Sequence, residues 1–176
     1  MKYKSCGFSL VELVVAFAMV AILAAIALPD FHDLMVVNRL RTQTHRFINA
    51  MNMARSAAIK ENRYVFVCPR QGGHCSGNHD WTTGWLIFTD RNGNSQMEND
   101  EKIQVFEELR KGFSMGSNVY VNMLVFSPMW EIRRKSGSFA MITFRICSKG
   151  ATLANMRDRS REIVINAAGR MMLQFG

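Results

Sequence analysis

One carboxylate interrupts a stretch otherwise fit for lipid. In "GFSLVELVVAFAMVAILAAIALPDF" (7–31), the run from Phe8 to Leu28 is apolar or small except for Glu12. An ionisable residue in such a segment costs on the order of 2.5–3.5 kcal/mol at mid-membrane and less near the interface. It marks a function once its partner can be named. Cleavage between Gly7 and Phe8 would supply that partner. Phe8 would then carry a free α-amine, largely protonated at a reference pKa of about 7.7–8.0. Glu12 lies four residues on, about one helical turn away. Amine and carboxylate at the tip of an apolar helix could neutralise each other, within one chain or between neighbours stacked in a filament.

Two simpler readings use less of the sequence. A secretory signal peptide would explain Lys2, Lys4 and the "AIA" at 25–27. It would not explain Glu12 inside the apolar core or Pro29 just after the cut. An ordinary anchor would explain the length, since 21 residues rise ~32 Å as a helix, about one hydrocarbon core. It would gain nothing from Glu12.

Further along, "CPRQGGHCSGNHD" (68–80) offers Cys68, His74, Cys75 and His79. Zinc accepts such ligands. However, six residues between the cysteines is not a typical zinc spacing, and adjacent His74 and Cys75 would struggle to close one tetrahedron. A Cys68–Cys75 disulfide is the better reading in an oxidising compartment, leaving Cys147 over; spacing alone does not fix the connectivity. "DRNGNSQMENDE" (90–101) carries the hard oxygen donors Asp90, Asn92, Asp100 and Glu101. The EF-hand template wants glycine sixth, and Gly93 falls fourth from Asp90, so a solvated turn is preferred and no metal is expected. No nucleophile elbow, metalloprotease helix, P-loop or dinucleotide fingerprint occurs, so no enzyme and no cofactor are expected.

The net charge of +8 is unevenly spread. Residues 112–176 hold nine basic residues against three acidic ones, whereas 90–111 hold four against six. Arg133, Arg134, Lys135, Arg145, Lys149, Arg157, Arg159, Arg161 and Arg170 could form a basic face. If 157–161 is extended, Arg157, Arg159 and Arg161 share one side. Guanidinium groups on such a face would suit phosphate, and the binding would weaken with salt. A solvated or subunit-facing basic surface is the plainer alternative.

The elements that position these residues follow from periodicity. A single helix is expected from about Ser9 to about Glu61, apolar all round in its first half. Pro29 removes a donor and crowds the carbonyl of Ala25, so a kink is expected there. Beyond it Val37, Leu40, Phe47, Ile48, Met51, Ala54 and Ala58 recur at helical spacing, one stripe that must pack on a globular domain. Strands are expected at 64–68, 85–90, 119–126, 139–147, 162–166 and 170–175, with turns at 90–94 and 166–169. The turn "NAAG" would close a C-terminal hairpin. Trp81 and Trp85, on either side of Gly84, would fill the core, and Ala57 and Ala58 would let a strand approach the helix. The fold class is α+β, a long N-terminal helix packed on a mostly antiparallel two-sheet β domain.

"GFSLVE" (7–12) resembles the class III leader of type IV prepilins: a short basic leader ending in Gly, then Phe, with Glu at the fifth mature position. Pro29 also stands where pilin helices characteristically carry proline. "ARSAAIKENRYVFVCP" (54–69) and "WTTGWLIFTDRNGN" (81–94) are similar to the signature of the GspH/FimT group of minor pilins and pseudopilins. The resemblance implies cleavage after Gly7 by prepilin peptidase, N-methylation of Phe8 and a role for Glu12 in assembly. It divides the chain into a leader (1–7), a transmembrane or filament-core segment (8–28), an amphipathic helix (29–61) and a β domain (62–176). It implies an inner-membrane protein with a periplasmic domain, assembling with other pilins or pseudopilins and an inner-membrane platform into a pilus or a type II secretion pseudopilus. FimT-type minor pilins of naturally competent bacteria bind DNA through a C-terminal Gly-Arg-x-Arg motif. Here Gly169 and Arg170 match, and Met172 stands where the second Arg would be.

Overall fold

The computed structural model describes residues 9–94, 96–129, 131–134, 141–152 and 155–175, without the side chains of 26–30, 32, 134 and 175. Helix α1 runs from Leu10 to Glu61. The chain divides into two compact units, residues 1–37 and 38–176.

In the first unit the described apolar side chains of α1 from Leu10 to Leu34 are exposed, and Met35, Val36 and Val37 are half-buried. Leu10 is 78% exposed and Phe17 66%, and Val14, Ile22 and Leu23 are exposed as well. In the second unit the same helix has one buried stripe: Leu40, Phe47, Ala50, Met51, Ala54 and Ala58. Their spacing is the one expected of a face packed on a globular core. Thr44 joins them, its hydroxyl donating to the Leu40 carbonyl at 2.8 Å and so avoiding an unpaired polar group inside.

Two antiparallel sheets meet this stripe. The first is built from β1 (Val65–Gln71), the short β2 (His74–Cys75), β3 (Trp85–Thr89), β4 (Lys102–Phe106), β6 (Leu124–Phe126) and β7 (Ile132–Arg134). Its strand order is β4-β3-β1-β6-β7, with β2 folded back on β1. The second holds β5 (Phe113–Ser117), β8 (Ile142–Ser148), β9 (Ser160–Ile165) and β10 (Met171–Phe175), in the order β10-β9-β8-β5. Alternation along β8 is strict: Ile142, Phe144, Ile146 and Ser148 are buried, and Thr143, Arg145 and Cys147 face out or are half-buried. Phe47 sits where the layers join, its ring 5.9 Å from Trp81, 5.1 Å from Trp85 and 4.9 Å from Phe144.

Trp81 opens a single 3-10 turn (Trp81–Thr83) capped by Asp80, whose side chain accepts the Thr82 N–H. Gly84 follows at φ 93°, and a Cβ there would lie 2.3 Å from the Phe106 carbonyl oxygen. Only glycine allows β3 and the end of β4 to approach so closely. Both tryptophans are fully buried. The Trp81 indole N–H donates to the Val121 carbonyl at 2.9 Å.

Several expectations need correction. The strand expected over 119–126 is a strand only at 124–126. The preceding backbone bends instead to serve Trp81 and the Ser117 hydroxyl, which donates to the Val119 carbonyl at 2.6 Å. The expected loop after Cys68 begins as β1 and returns as β2, reversing at Gly72 with φ 61°. Strands β4, β5 and β7 were not anticipated; β4 and β5 interleave polar and apolar residues over only five positions each. Residues 139 and 140 of the expected fourth strand lie outside the described set.

Phe47→Ala removes the ring shared by both sheets. It is expected to cost about 3–5 kcal/mol, read as a loss in the denaturant midpoint with an unchanged slope.

Candidate functional site

The candidate site begins at the start of α1. Ser9 is its cap: the Ser9 hydroxyl accepts the Glu12 N–H at 3.2 Å, and the Ser9 carbonyl accepts the Leu13 N–H. Ser9 and Glu12 thus have the S-x-x-E spacing of a capping box, a second reason for a carboxylate here that sequence reading passed over. The positive end of the helix dipole favours Glu12 in this turn, by about 0.3–1 kcal/mol when exposed. That gain is small against burial in hydrocarbon, so a full counter-charge is still needed once the tip is covered. Gly7 and Phe8, the expected cleavage point and amine, lie outside the described residues. Pro29 falls where side chains are not described; the helical assignment runs through it without a break. Among the described residues no helix is long and apolar enough to cross a membrane. Phe8 and the side chains of 26–28, which belong to the apolar run, are not among them.

At the base of the helical stripe lies a second feature that periodicity missed. The Arg46 guanidinium lies over the rings of Trp85 (5.3 Å) and Phe106 (5.9 Å). It donates to the backbone carbonyls of Glu107 (2.5 Å) and Glu108 (3.3 Å). Burial lowers its pKa below the usual arginine value, and the nearby Glu107 carboxylate opposes that shift. Arg70 grips the same carboxylate with two nitrogens, at 2.9 and 2.5 Å. The pair of arginines fastens α1 and β1 to the segment following β4.

Cys68 and Cys75 are joined by a disulfide, with Cα atoms 5.6 Å apart, closing the β1–β2 hairpin. His74 and His79 do not join them: His79 packs its ring against Tyr120 at 4.8 Å. Cys147 is a free, half-buried thiol on β8. Burial pushes its pKa up, against the pull of Arg145.

The candidate DNA-contacting arginines do not share one extended face. Residues Met156–Arg159 form a helical turn, α2, so strand alternation does not apply to Arg157 and Arg159. Arg161 is the second residue of β9, next to the fully buried Ser160, and is 8% exposed. Its guanidinium donates to the carbonyls of Arg157 and Ser160, both at 2.7 Å. Arg145 is paired with Glu162 on the neighbouring strand, and Arg133 with Glu131 at 2.7 Å. Arg170 is exposed, beside the turn that closes the β9–β10 hairpin. Gly169, with φ 70°, is buried in that turn, and its carbonyl accepts from Arg55 of α1 at 3.2 Å. Met172 stands opposite Val164 on β10. The two-sided hairpin expected at 166–169 is therefore present, but only part of its basic neighbourhood is free to meet a polyanion.

Most described residues of the loop 90–101 are exposed, and the loop carries internal hydrogen bonds. The N–H groups of Gly93 and Asn94 donate to Asp90 Oδ1, and the Glu101 carboxylate is buried.

These elements can be set beside known proteins. The model of the family described as type II transport protein GspH matches residues 43–169, and the prokaryotic N-terminal methylation motif matches residues 2–28. The chain belongs to the GspH family. No curated protein is similar enough to this chain to count as a match. Among solved structures, the type IV minor pilin FimU of Pseudomonas aeruginosa is similar over 78% of this chain and 89% of its own, at 20% identity and a TM-score of 0.59. The minor pseudopilin EpsH of the Vibrio cholerae type 2 secretion system is similar over 78% of this chain and 97% of its own, at 13% identity and a TM-score of 0.51. At these identities the likeness is one of fold: the pilin-like helix followed by two antiparallel sheets.

Because Arg161 and Arg145 are engaged within the domain, duplex DNA binding by the GspH-family chain is expected to be weak. A gel-shift at low salt should vanish by about 200 mM salt. It should respond little to Arg161→Ala. A shift that survives at that salt and depends on Arg170 would make the hairpin a DNA site.

Proposed function

We propose that the chain is a non-catalytic subunit of a pilin-like filament, a minor pilin placed at or near the priming tip of a type IV pilus. The carrying observation is Glu12 in the first turn of a helix whose described apolar side chains from Leu10 to Leu34 stand exposed. Exposed apolar surface of that extent needs a partner. Before assembly the partner is the bacterial inner membrane, entered by residues 8–28, with the β domain in the periplasm. Afterwards it is the helices of neighbouring pilins, delivered through an inner-membrane assembly platform.

On this reading prepilin peptidase cuts after Gly7, removing Lys2 and Lys4 and freeing the Phe8 amine, which is then N-methylated. The methylation motif over residues 2–28 supports this step. The carboxylate of Glu12 meets the amine of a neighbouring subunit's Phe8 as both leave the membrane interface. Each charge offsets the cost of burying the other. The reading uses no cofactor and no catalytic residue. The alternative assembly is a type II secretion pseudopilus, in keeping with the family's description.

Glu12→Gln keeps the shape of the side chain and removes its charge. The variant is expected to be cleaved and membrane-resident as before, yet depleted from sheared filaments by at least about a hundredfold. That corresponds to roughly 3 kcal/mol for an unpaired buried charge. Quantitative immunoblotting of membrane and sheared fractions reads the split. Normal incorporation of the Gln variant would remove the charge pair from the account.

A further inference from the structure

The segment joining β3 to β4 runs twelve residues, from Asp90 to Glu101. We propose that it is a calcium-binding loop, with Asp90, Asn92, Asn94, the Gln96 carbonyl, Glu98 and Glu101 as oxygen donors. Counted from Asp90, these are positions 1, 3, 5, 7, 9 and 12, the ligand positions of the twelve-residue loop that wraps Ca²⁺. The template's glycine belongs at the sixth position, where this chain has Ser95. The misplaced glycine is what favoured a solvated turn. Gly93, at the fourth position, has φ 77° and supplies a left-handed reversal inside the same loop.

Glu101 is the observation that points to a ligand. It is 2% exposed. Its Oε1 accepts the Arg91 N–H at 2.7 Å, which holds the carboxylate against the mouth of the loop. Its Oε2 is buried with no hydrogen-bond partner. The main chain leaves it little freedom, since the Glu101 carbonyl accepts the Thr89 N–H at 3.0 Å and the Glu101 N–H donates to the Glu98 carbonyl at 3.2 Å. A carboxylate so placed is expensive without a cation or a full set of donors. Two basic side chains beside the loop bond to it and not to Glu101 Oε2: Lys102 donates to Asn99 Oδ1 at 2.8 Å, and Arg63 to the Arg91 carbonyl at 3.2 Å.

Three of the remaining donors already meet. Asn92 and Asn94 both donate their amide N–H to Glu98 Oε1 at 3.0 Å, which gathers positions 3, 5 and 9. Turning each amide about its last torsion presents oxygen where nitrogen stood, so a cation could replace those two donors, at the cost of the Asn94 and Gln96 N–H bonds that the oxygens of Asn92 and Asn94 accept at 3.0 and 2.7 Å. Among the described residues no three His, Cys, Asp or Glu side chains gather as a metal site by themselves. The Asp90, Glu98 and Glu101 carboxylates are therefore not drawn together without the ion, and calcium would gather them with the amide and main-chain oxygens, a hard and flexible set that suits Ca²⁺ better than zinc or the strictly octahedral Mg²⁺. The proposal stands on this loop alone and is independent of filament assembly.

The test uses the full chain in detergent, stripped with a chelator. Adding about 5 mM CaCl₂ should raise Tm by several degrees, as expected for a cation that binds only the folded state. Equal MgCl₂ should do less. Terbium should give luminescence sensitised by the protein's aromatic side chains and be displaced by Ca²⁺. Glu101→Gln should abolish both responses. Should that variant fail to fold, Glu98→Gln, at an exposed position, should weaken the apparent calcium affinity by about tenfold or more. No Tm shift and no displaceable terbium signal at about 10 mM Ca²⁺ would overturn the proposal. So would calcium responses unchanged in both variants.

Discussion

A single helix has to satisfy two solvents, and the rest of the molecule follows from that demand. From Leu10 to Leu34 the described apolar side chains of α1 are exposed. From Leu40 the helix narrows to one buried stripe. A uniformly greasy helix could not carry a folded head without sticking to it, and a uniformly amphipathic one could not enter lipid or a filament core. The switch in pattern, made without breaking the helix, is what lets a membrane-fit segment and a folded domain share one backbone. Glu12 is the expense of this arrangement. Its carboxylate is tolerable in an exposed first turn and becomes a specific demand for a cation once that turn is covered.

The β domain meets a related problem at the other end of the helix. Two sheets must close on one narrow stripe, and few side chains are large enough to reach both. Phe47 does so with Trp81, Trp85 and Phe144, and Gly84 permits the close approach that seats both tryptophans. Arg46 then shields Trp85 from above while its nitrogens take up carbonyls after β4. Arg55 plays a similar part toward the C-terminal turn. Much of the chain's positive charge is thus engaged in holding elements together. That is why a net charge of +8 translates poorly into a basic docking face.

Elements with strong periodicity were legible from the residues. The helix, the β9–β10 hairpin and strands such as β8 follow from spacing and turn chemistry. What escaped was decided by partners distant in sequence. Strand β5, "FSMGS", has little intrinsic signal and exists because β8 pairs with it from Phe113 to Ser117. The stretch 119–123 has the composition of a strand, but the Val121 carbonyl is taken by the Trp81 indole. Arg161 read as a surface cation because nothing local reveals that α2 will turn its carbonyls toward it. The Glu101 site was in principle countable, twelve residues from Asp90, but the misplaced glycine hid it. The leader, Phe8 and Pro29 were legible only as motif.

The most direct measurement is the intact mass and N-terminal sequence of the chain recovered from its native membrane. The account predicts a product beginning at Phe8, lacking residues 1–7 and heavier than the bare peptide by one methyl group. A product that keeps Met1, or that begins beyond Leu28, would have no amine beside Glu12 and would contradict it.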